Sequence, residues 1–86
     1  MTAPAPEFIL QRLDAIARQH LKRTDALRLE DSLSHQVATD SLLRMTLLVE
    51  TENAFQICIE DEEAMALTTV GDLVALVASK RDARAG

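Results

Sequence analysis

The sequence has few of the residue types on which many binding and catalytic sites depend. It contains two Phe, no Tyr and no Trp, so it offers no aromatic surface on which nucleic-acid bases could stack. A single cysteine, Cys58, excludes an internal disulfide, and the two histidines, His20 and His35, give no spacing of the kind that holds zinc. We therefore expect neither nucleic-acid binding nor a metal site.

Glycine and proline are also scarce, with two of each among 86 residues, which excludes a collagen-like or low-complexity chain. The hydrophobic fraction of 48% and the charged fraction of 27% are typical of a chain that folds. A chain of this length can build one small core, so we predict a single domain over residues 1–86. We expect residues 1–6 and 81–86 to fray.

Long apolar runs are absent, and the first residues lack the basic and apolar regions of a signal peptide, so we predict a cytoplasmic protein without membrane insertion. The net charge of −5 disfavours binding to phosphate backbones and to anionic lipids. No Lys or Arg occurs between Arg44 and Lys80, so the acidic residues there are uncompensated. They form either a solvated face or a docking face for basic enzymes.

Apolar residues recur at helical spacing in the first half of the chain. A first amphipathic helix is predicted over residues 7–21. A second is predicted from Asp40, a natural N-cap, to about Phe55. Residues 22–39 between them lose this periodicity, and we predict a long loop, which is a feature that usually accompanies a function.

The second half predicts one short helix and one longer helix. Acidic residues at the positive end of the helix dipole predict a short helix over residues 62–67. Thr68 or Thr69 is expected to cap a last helix that ends at Arg81. The fold class is therefore all-α, a small bundle of three main helices and one short helix with a long first loop.

The candidate site is the tripeptide Asp40-Ser41-Leu42 at the start of the second helix. The chain has no glycine-rich phosphate loop and no metalloprotease or hydrolase motif, so we expect no enzyme activity. A serine in the first turn of a helix places its hydroxyl beside free backbone amides, where an attached phosphate would find donors and a favourable dipole. A plain helix cap followed by a serine is the alternative interpretation of the same residues.

This tripeptide and the residues after it resemble the acyl carrier protein family. The register from Ser41 to Val70 needs no gap, with an apolar helix that closes on Phe55 and an acidic segment at residues 61–63. The resemblance implies the acyl-carrier fold, 4'-phosphopantetheine from coenzyme A attached covalently to Ser41, and no catalysis by the chain itself. A second Asp-Ser-Leu, at residues 31–33, resembles the family's first loop, in which Leu33 would anchor the loop to the core.

The resemblance also implies roles for other side chains near the tripeptide. Asp40 would cap the helix and Leu42 would pack under the site. Family members commonly carry acids along the second helix, whereas this chain has apolar and basic residues in its first turns. The expected partner contacts are Leu43, Arg44, Met45, Glu50 and Glu52, and the expected acyl cleft residues are Ile59, Ala64, Leu67 and Leu73.

The function implied is that of a free-standing acyl carrier protein, which holds acyl intermediates as thioesters in fatty-acid-like, polyketide or aryl polyene biosynthesis. Its partners would be a phosphopantetheinyl transferase and acyl-loading and ketosynthase-type enzymes, with the carrier a monomer or part of a complex with a pathway enzyme. Two alternatives stay open: a carrier of aminoacyl or aryl groups, and an unmodified acidic helical module that binds a basic partner. Replacement of Ser41 by Ala would abolish carrier function but not the function of the unmodified module.

Overall fold

The structure is a computed structural model that describes residues 6–21, 25–37 and 40–85. Within these ranges the chain forms four α-helices, α1 (Pro6–His20), α2 (Ser41–Phe55), α3 (Asp61–Ala66) and α4 (Val70–Ala85), and a π-helical turn, Leu33–Val37, between α1 and α2. The predicted bundle of three main helices and one short helix is confirmed. Of the described helices, none combines the length and the apolar character needed to cross a membrane.

The last helix is longer than the sequence pattern predicts. It continues through Ala85, so residues 81–85 are helical and do not form the expected frayed tail. The segment Arg-Asp-Ala-Arg-Ala contains no helix breaker and is rich in good helix formers, which explains the extension. Arg81 also donates a hydrogen bond from Nη1 to the carbonyl of Phe55 at 3.0 Å, which ties α4 to the end of α2. Residues 1–5 and Gly86 lie outside the described residues.

One aliphatic core joins α1, α2, α4 and the first loop. Helix α3 has no buried residue and lies at the edge of this core. Because the buried side chains are mostly Leu, Ile and Val, each contributes about 1.5–3 kcal/mol when it is fully removed from water. The buried apolar residues are Ile9, Leu13, Ile16, Ala17, Leu27, Leu33, Val37, Leu47, Phe55, Leu67, Val70, Leu73, Val74 and Val77.

The predicted long loop is fixed to α1 and to the connection between α3 and α4. The amide of Leu27 donates to Asp14 Oδ1 on α1 at 2.9 Å. The amide of Leu33 donates to the carbonyl of Thr68 at 2.9 Å, and the Leu33 side chain is buried in the core. Leu33 therefore anchors the loop, as the resemblance implied.

The start of α4 also bonds to this loop. The amides of Val70 and Gly71 donate to the carbonyls of Asp31 and Leu29 at 2.9 and 2.8 Å. A Cβ at position 71 would lie 3.2 Å from the Leu29 carbonyl oxygen, closer than an ordinary van der Waals contact. Glycine at this position therefore permits the close approach of the loop, which sequence analysis did not detect.

A reciprocal pair of side chains caps α4. Thr69 Oγ1 accepts from the amide of Asp72 at 3.2 Å, which confirms Thr69 as one of the two predicted caps. In return, Asp72 Oδ2 accepts from the amides of Thr68 at 3.0 Å and Thr69 at 3.2 Å. The amide of Thr68, followed by that of Thr69, lowers the pKa of the Asp72 carboxyl. These bonds satisfy donors that the helix itself leaves free.

Candidate functional site

Asp40 defines the start of α2. Its backbone is extended, with φ −131° and ψ 170°, and its Oδ1 accepts from the amide of Leu43 at 2.8 Å. Its carbonyl accepts the first intrahelical bond, from the amide of Arg44 at 3.0 Å. The predicted N-cap is confirmed, and its carboxylate adds negative charge at the positive end of the helix dipole.

Ser41 is the first residue of α2 and is exposed. It lies at the edge of a groove of about 310 Å³ between α2 and α3. The groove therefore begins beside the serine hydroxyl and extends along α2. Its lining residues are Ser41, Arg44, Met45, Leu48, Val49, Glu52, Ile59, Asp61 and Ala64.

This groove contains two of the four predicted cleft residues. Ile59 and Ala64 line it. Leu67 and Leu73 do not, because they are buried in the core with 8% and 1% of their surface exposed. Leu67 follows the last residue of α3 and packs into the bundle, and Leu73 lies on the inner face of α4. Both leucines therefore lie outside the groove in this structure, and their role in a cleft that opens for an acyl chain stays a prediction.

Leu42 does not pack under the site as expected. Its side chain is 72% exposed, and it belongs with Met45 and Val49, which are 63% and 44% exposed. These three residues recur at helical spacing on the outer side of α2, and we call them the apolar ridge. The buried position of Leu42 was implied by the resemblance, and the apolar residues of α2 nearly surround the helix, so its periodicity does not select one buried face.

Arg44 is half-buried, and its guanidinium is turned toward α3. Its Nη2 donates to the carbonyls of Ala64 at 2.6 Å and Leu67 at 3.2 Å, where α3 ends. Its Nη1 donates to Ser34 Oγ at 3.4 Å. The guanidinium therefore links α2, α3 and the first loop, and the expected contact of Arg44 with a partner stays a prediction.

The remaining predicted contacts are divided among different faces of α2. Leu43 is half-buried. Glu50 faces α1, where its Oε1 lies 3.4 Å from His20 Nε2. Glu52 Oε2 accepts from the amide of Ile59 at 2.8 Å and supports the connection between α2 and α3. Among the five predicted contact residues, only Met45 is exposed and belongs to the apolar ridge.

A salt bridge fixes α3 on its other side. Lys80 Nζ lies 2.6 Å from Glu63 Oε1, which also accepts from the amide of Glu60 at 2.9 Å. The hydrogen bond from Lys80, and then that from the Glu60 amide, lowers the pKa of the Glu63 carboxyl. The same bond raises the pKa of Lys80. The pair therefore connects α3 to α4 while both groups are charged.

Comparison with known proteins decides the family. A family model described as a phosphopantetheine attachment site matches residues 11–77. An acyl carrier protein of Exiguobacterium sp. strain AT1b is 37% identical over 74 residues, which cover 86% of this chain and 94% of that protein. The chain belongs to the acyl carrier protein family. An acyl carrier protein of Exiguobacterium sibiricum is 36% identical over 83% of this carrier and 90% of its own length.

The fold of this acyl carrier protein also matches a solved structure. A Mycobacterium tuberculosis chain described as an acyl carrier protein superposes with a TM-score of 0.76 at 27% identity, covering 83% of this chain and 96% of that one. Family membership confirms the expected covalent 4'-phosphopantetheine and identifies the chain as a carrier and not an enzyme.

Proposed function

We propose that Ser41 is the residue that bears 4'-phosphopantetheine. The supporting observation is the contrast between the chain's two Asp-Ser-Leu segments, both within the matched residues 11–77. Ser41 is exposed at the start of α2, beside the groove. Ser32 is half-buried, pairs with Thr69 in an isolated β-bridge, and its Oγ accepts from the amide of His35 at 3.2 Å. A transferase would reach Ser41 but not Ser32.

The surroundings of Ser41 fit a phosphate ester with a long flexible arm. The positive end of α2 favours a negative group at its first residue. The groove beside it has an apolar wall, formed by Met45, Leu48 and Val49 from α2, against which an acyl chain could lie. When bound, the arm supplies a terminal thiol that holds acyl groups as thioesters. Asp40 keeps the first turn of α2 formed, so that Ser41 is presented in one geometry.

We further propose that the protein acts as a discrete carrier in the cytoplasm, in fatty-acid-like, polyketide or aryl polyene biosynthesis. The match to 94% of the Exiguobacterium sp. relative supports a discrete carrier of similar size. A phosphopantetheinyl transferase would modify it, and acyl-loading and ketosynthase-type enzymes would use it, as a monomer or within a complex. The apolar ridge is the proposed contact surface, because its three side chains are exposed and lie between one and eight residues after Ser41 on α2.

Intact-protein mass tests the proposed attachment residue. The chain is incubated with coenzyme A and a broad-specificity phosphopantetheinyl transferase, and we expect a gain of one phosphopantetheinyl group. Ser41→Ala should remove the gain, whereas Ser32→Ala, in the other copy of the tripeptide, should preserve it. A gain that survives Ser41→Ala, or that disappears only with Ser32→Ala, would contradict the assignment.

A further inference from the structure

Apart from Leu67, which follows α3 directly and is buried in the core, polar contacts hold α3 in place. Helix α3 has six residues and none of them is buried. A helix this short is not stable alone in water, because its nucleation cost is spread over too few hydrogen bonds. Its position over the groove therefore depends on the contacts that tie it to α2 and α4.

Three contacts connect α3 and the segment before it to the longer helices. Arg44 bonds to two carbonyls at the end of α3. Lys80 pairs with Glu63 on the side of α4. Glu52 accepts from the amide of Ile59 in the segment that precedes α3. Arg44 differs from Lys80 because it also lines the groove, and it lies one turn along α2 from Ser41.

The contact of Arg44 with α3 is of a strong type. The last carbonyls of a helix have no partners within it, and a cation there complements the negative end of the dipole. One guanidinium nitrogen reaches the carbonyls of both Ala64 and Leu67, at 2.6 and 3.2 Å. Hydrogen bonds to charged groups are stronger than neutral ones, and Nη1 also donates to Ser34 Oγ at 3.4 Å, so the planar guanidinium bonds in two directions that a single ammonium does not reproduce.

Because Arg44 lines the groove, its contact with α3 affects how an acyl chain can bind there. Along α2, Arg44 lies between Ser41 and the groove residues Leu48 and Val49. Ala64 of α3 also lines the groove, so a groove that widens to hold more of an acyl chain moves α3 away from α2. Such movement stretches the bonds from Arg44 to Ala64 and Leu67.

We propose that Arg44 is a positioning residue that holds α3 against α2 and thereby limits how far an acyl chain carried at Ser41 enters the groove. The part that concerns cargo rests on the proposed function, whereas the tether itself is a property of the unmodified chain. The thioester of a medium-length acyl chain then remains accessible to external nucleophiles, as the thioester of a short acyl group does.

Amide hydrogen exchange of the unmodified protein tests the tether. Arg44→Met keeps an apolar stem of similar length but removes the guanidinium. Arg28→Met is the matched control, because Arg28 is an exposed loop residue whose guanidinium lies 3.7 Å from Glu30. We expect about tenfold faster exchange at the amides of residues 61–67 in Arg44→Met, with α1 and α4 unchanged and no change in Arg28→Met.

A second variant keeps the exchange test decisive if Arg44→Met does not fold. Arg44→Lys retains the charge but loses the fork, so exchange in α3 should fall between the wild-type and methionine values. Wild-type exchange in α3 for the folded variants would overturn the proposal. Equal acceleration across all helices would also overturn it, because Arg44 would then support the whole bundle.

The reactivity of loaded thioesters tests the consequence for cargo. Acetyl and octanoyl forms are prepared, and their cleavage by hydroxylamine is followed by intact mass. In the wild-type protein, the acetyl and octanoyl groups should be cleaved at rates within about twofold of each other. In Arg44→Met, the octanoyl group should be cleaved about tenfold more slowly than in wild type, and the acetyl group at the wild-type rate. The same octanoyl-to-acetyl ratio in both proteins would overturn the role in cargo entry. A chain that cannot be loaded would refute the proposed function, while the exchange experiment would still decide the tether.

Discussion

Removal of the Asp40 carboxylate should weaken the start of α2 and leave the rest of the bundle intact. Within the described residues, the carboxylate accepts one hydrogen bond, at Oδ1 from the amide of Leu43 at 2.8 Å. Replacement of an N-cap aspartate by alanine costs about 1 kcal/mol. In a domain of this size that loss lowers Tm by about 4–8 °C.

Two matched variants separate the cap from the charge. Asp40→Asn keeps an acceptor oxygen and caps as well as aspartate does, so it should lose only the interaction of the charge with the dipole, about 0.3 kcal/mol at an exposed site. Asp25→Ala removes an exposed loop carboxylate outside the helices and should leave Tm unchanged. Thermal unfolding followed by circular dichroism measures all three.

The result also bears on carrier function, because Ser41 follows the cap directly. Fraying of the first turn should slow phosphopantetheinylation of Asp40→Ala relative to Asp40→Asn at a temperature where both are folded. An unchanged Tm for Asp40→Ala would refute the cap argument. An equal loss for alanine and asparagine would assign the effect to charge and not to the hydrogen bond.

Three further predictions concern stability. Gln56, the C-cap of α2, has a left-handed backbone with φ 55°. Gln56→Gly should relieve this strain and raise the free energy of unfolding by about 1 kcal/mol, measured by urea unfolding. A lower urea midpoint would contradict this prediction. Gly71→Ala should lower Tm despite the better helix propensity of alanine, because the new Cβ would lie 3.2 Å from the carbonyl oxygen of Leu29. A higher Tm would contradict this and would show that the loop moves away without cost. The hydrogen bond from Lys80 is the main cause that lowers the pKa of the Glu63 carboxyl below 4.5. The stability that charged Glu63 contributes to the fold is therefore present above pH 4.5 and is lost as pH falls through the lowered pKa. The difference in unfolding free energy between wild type and Glu63→Gln should therefore shrink on acidification, and a constant difference would refute the assignment.

Sequence patterns predicted the local features of the fold because those features depend on neighbouring residues. Helical periodicity located α1 and α4, and the Asp40 cap follows from a side chain and an amide three positions apart. Thr69 was one of two predicted caps for the same reason. The π-helical turn Leu33–Val37 was not predicted, because a single short turn leaves no periodic signal.

The differences between expectation and structure at the candidate site have tertiary causes. Leu42 was assigned to the inside by resemblance, but α2 is apolar on several faces, and only the placement of the other helices decides which face is covered. Arg44 was assigned to the outside because its partners are backbone carbonyls twenty or more positions away, which no side-chain pattern reveals. Leu67 and Leu73 were assigned to the cleft by resemblance. In the structure both are buried in the core, and Leu67 follows directly after α3.

Localisation of the modification on the peptide that carries it tests the central claim most directly. Tryptic cleavage after Arg28 and Arg44 releases residues 29–44, which contain Ser32, Ser34 and Ser41 together. Fragmentation of that peptide from the modified protein should place the phosphopantetheinyl mass on Ser41, with Ser32 and Ser34 unmodified. Modification at either of the other serines would contradict the account of this site.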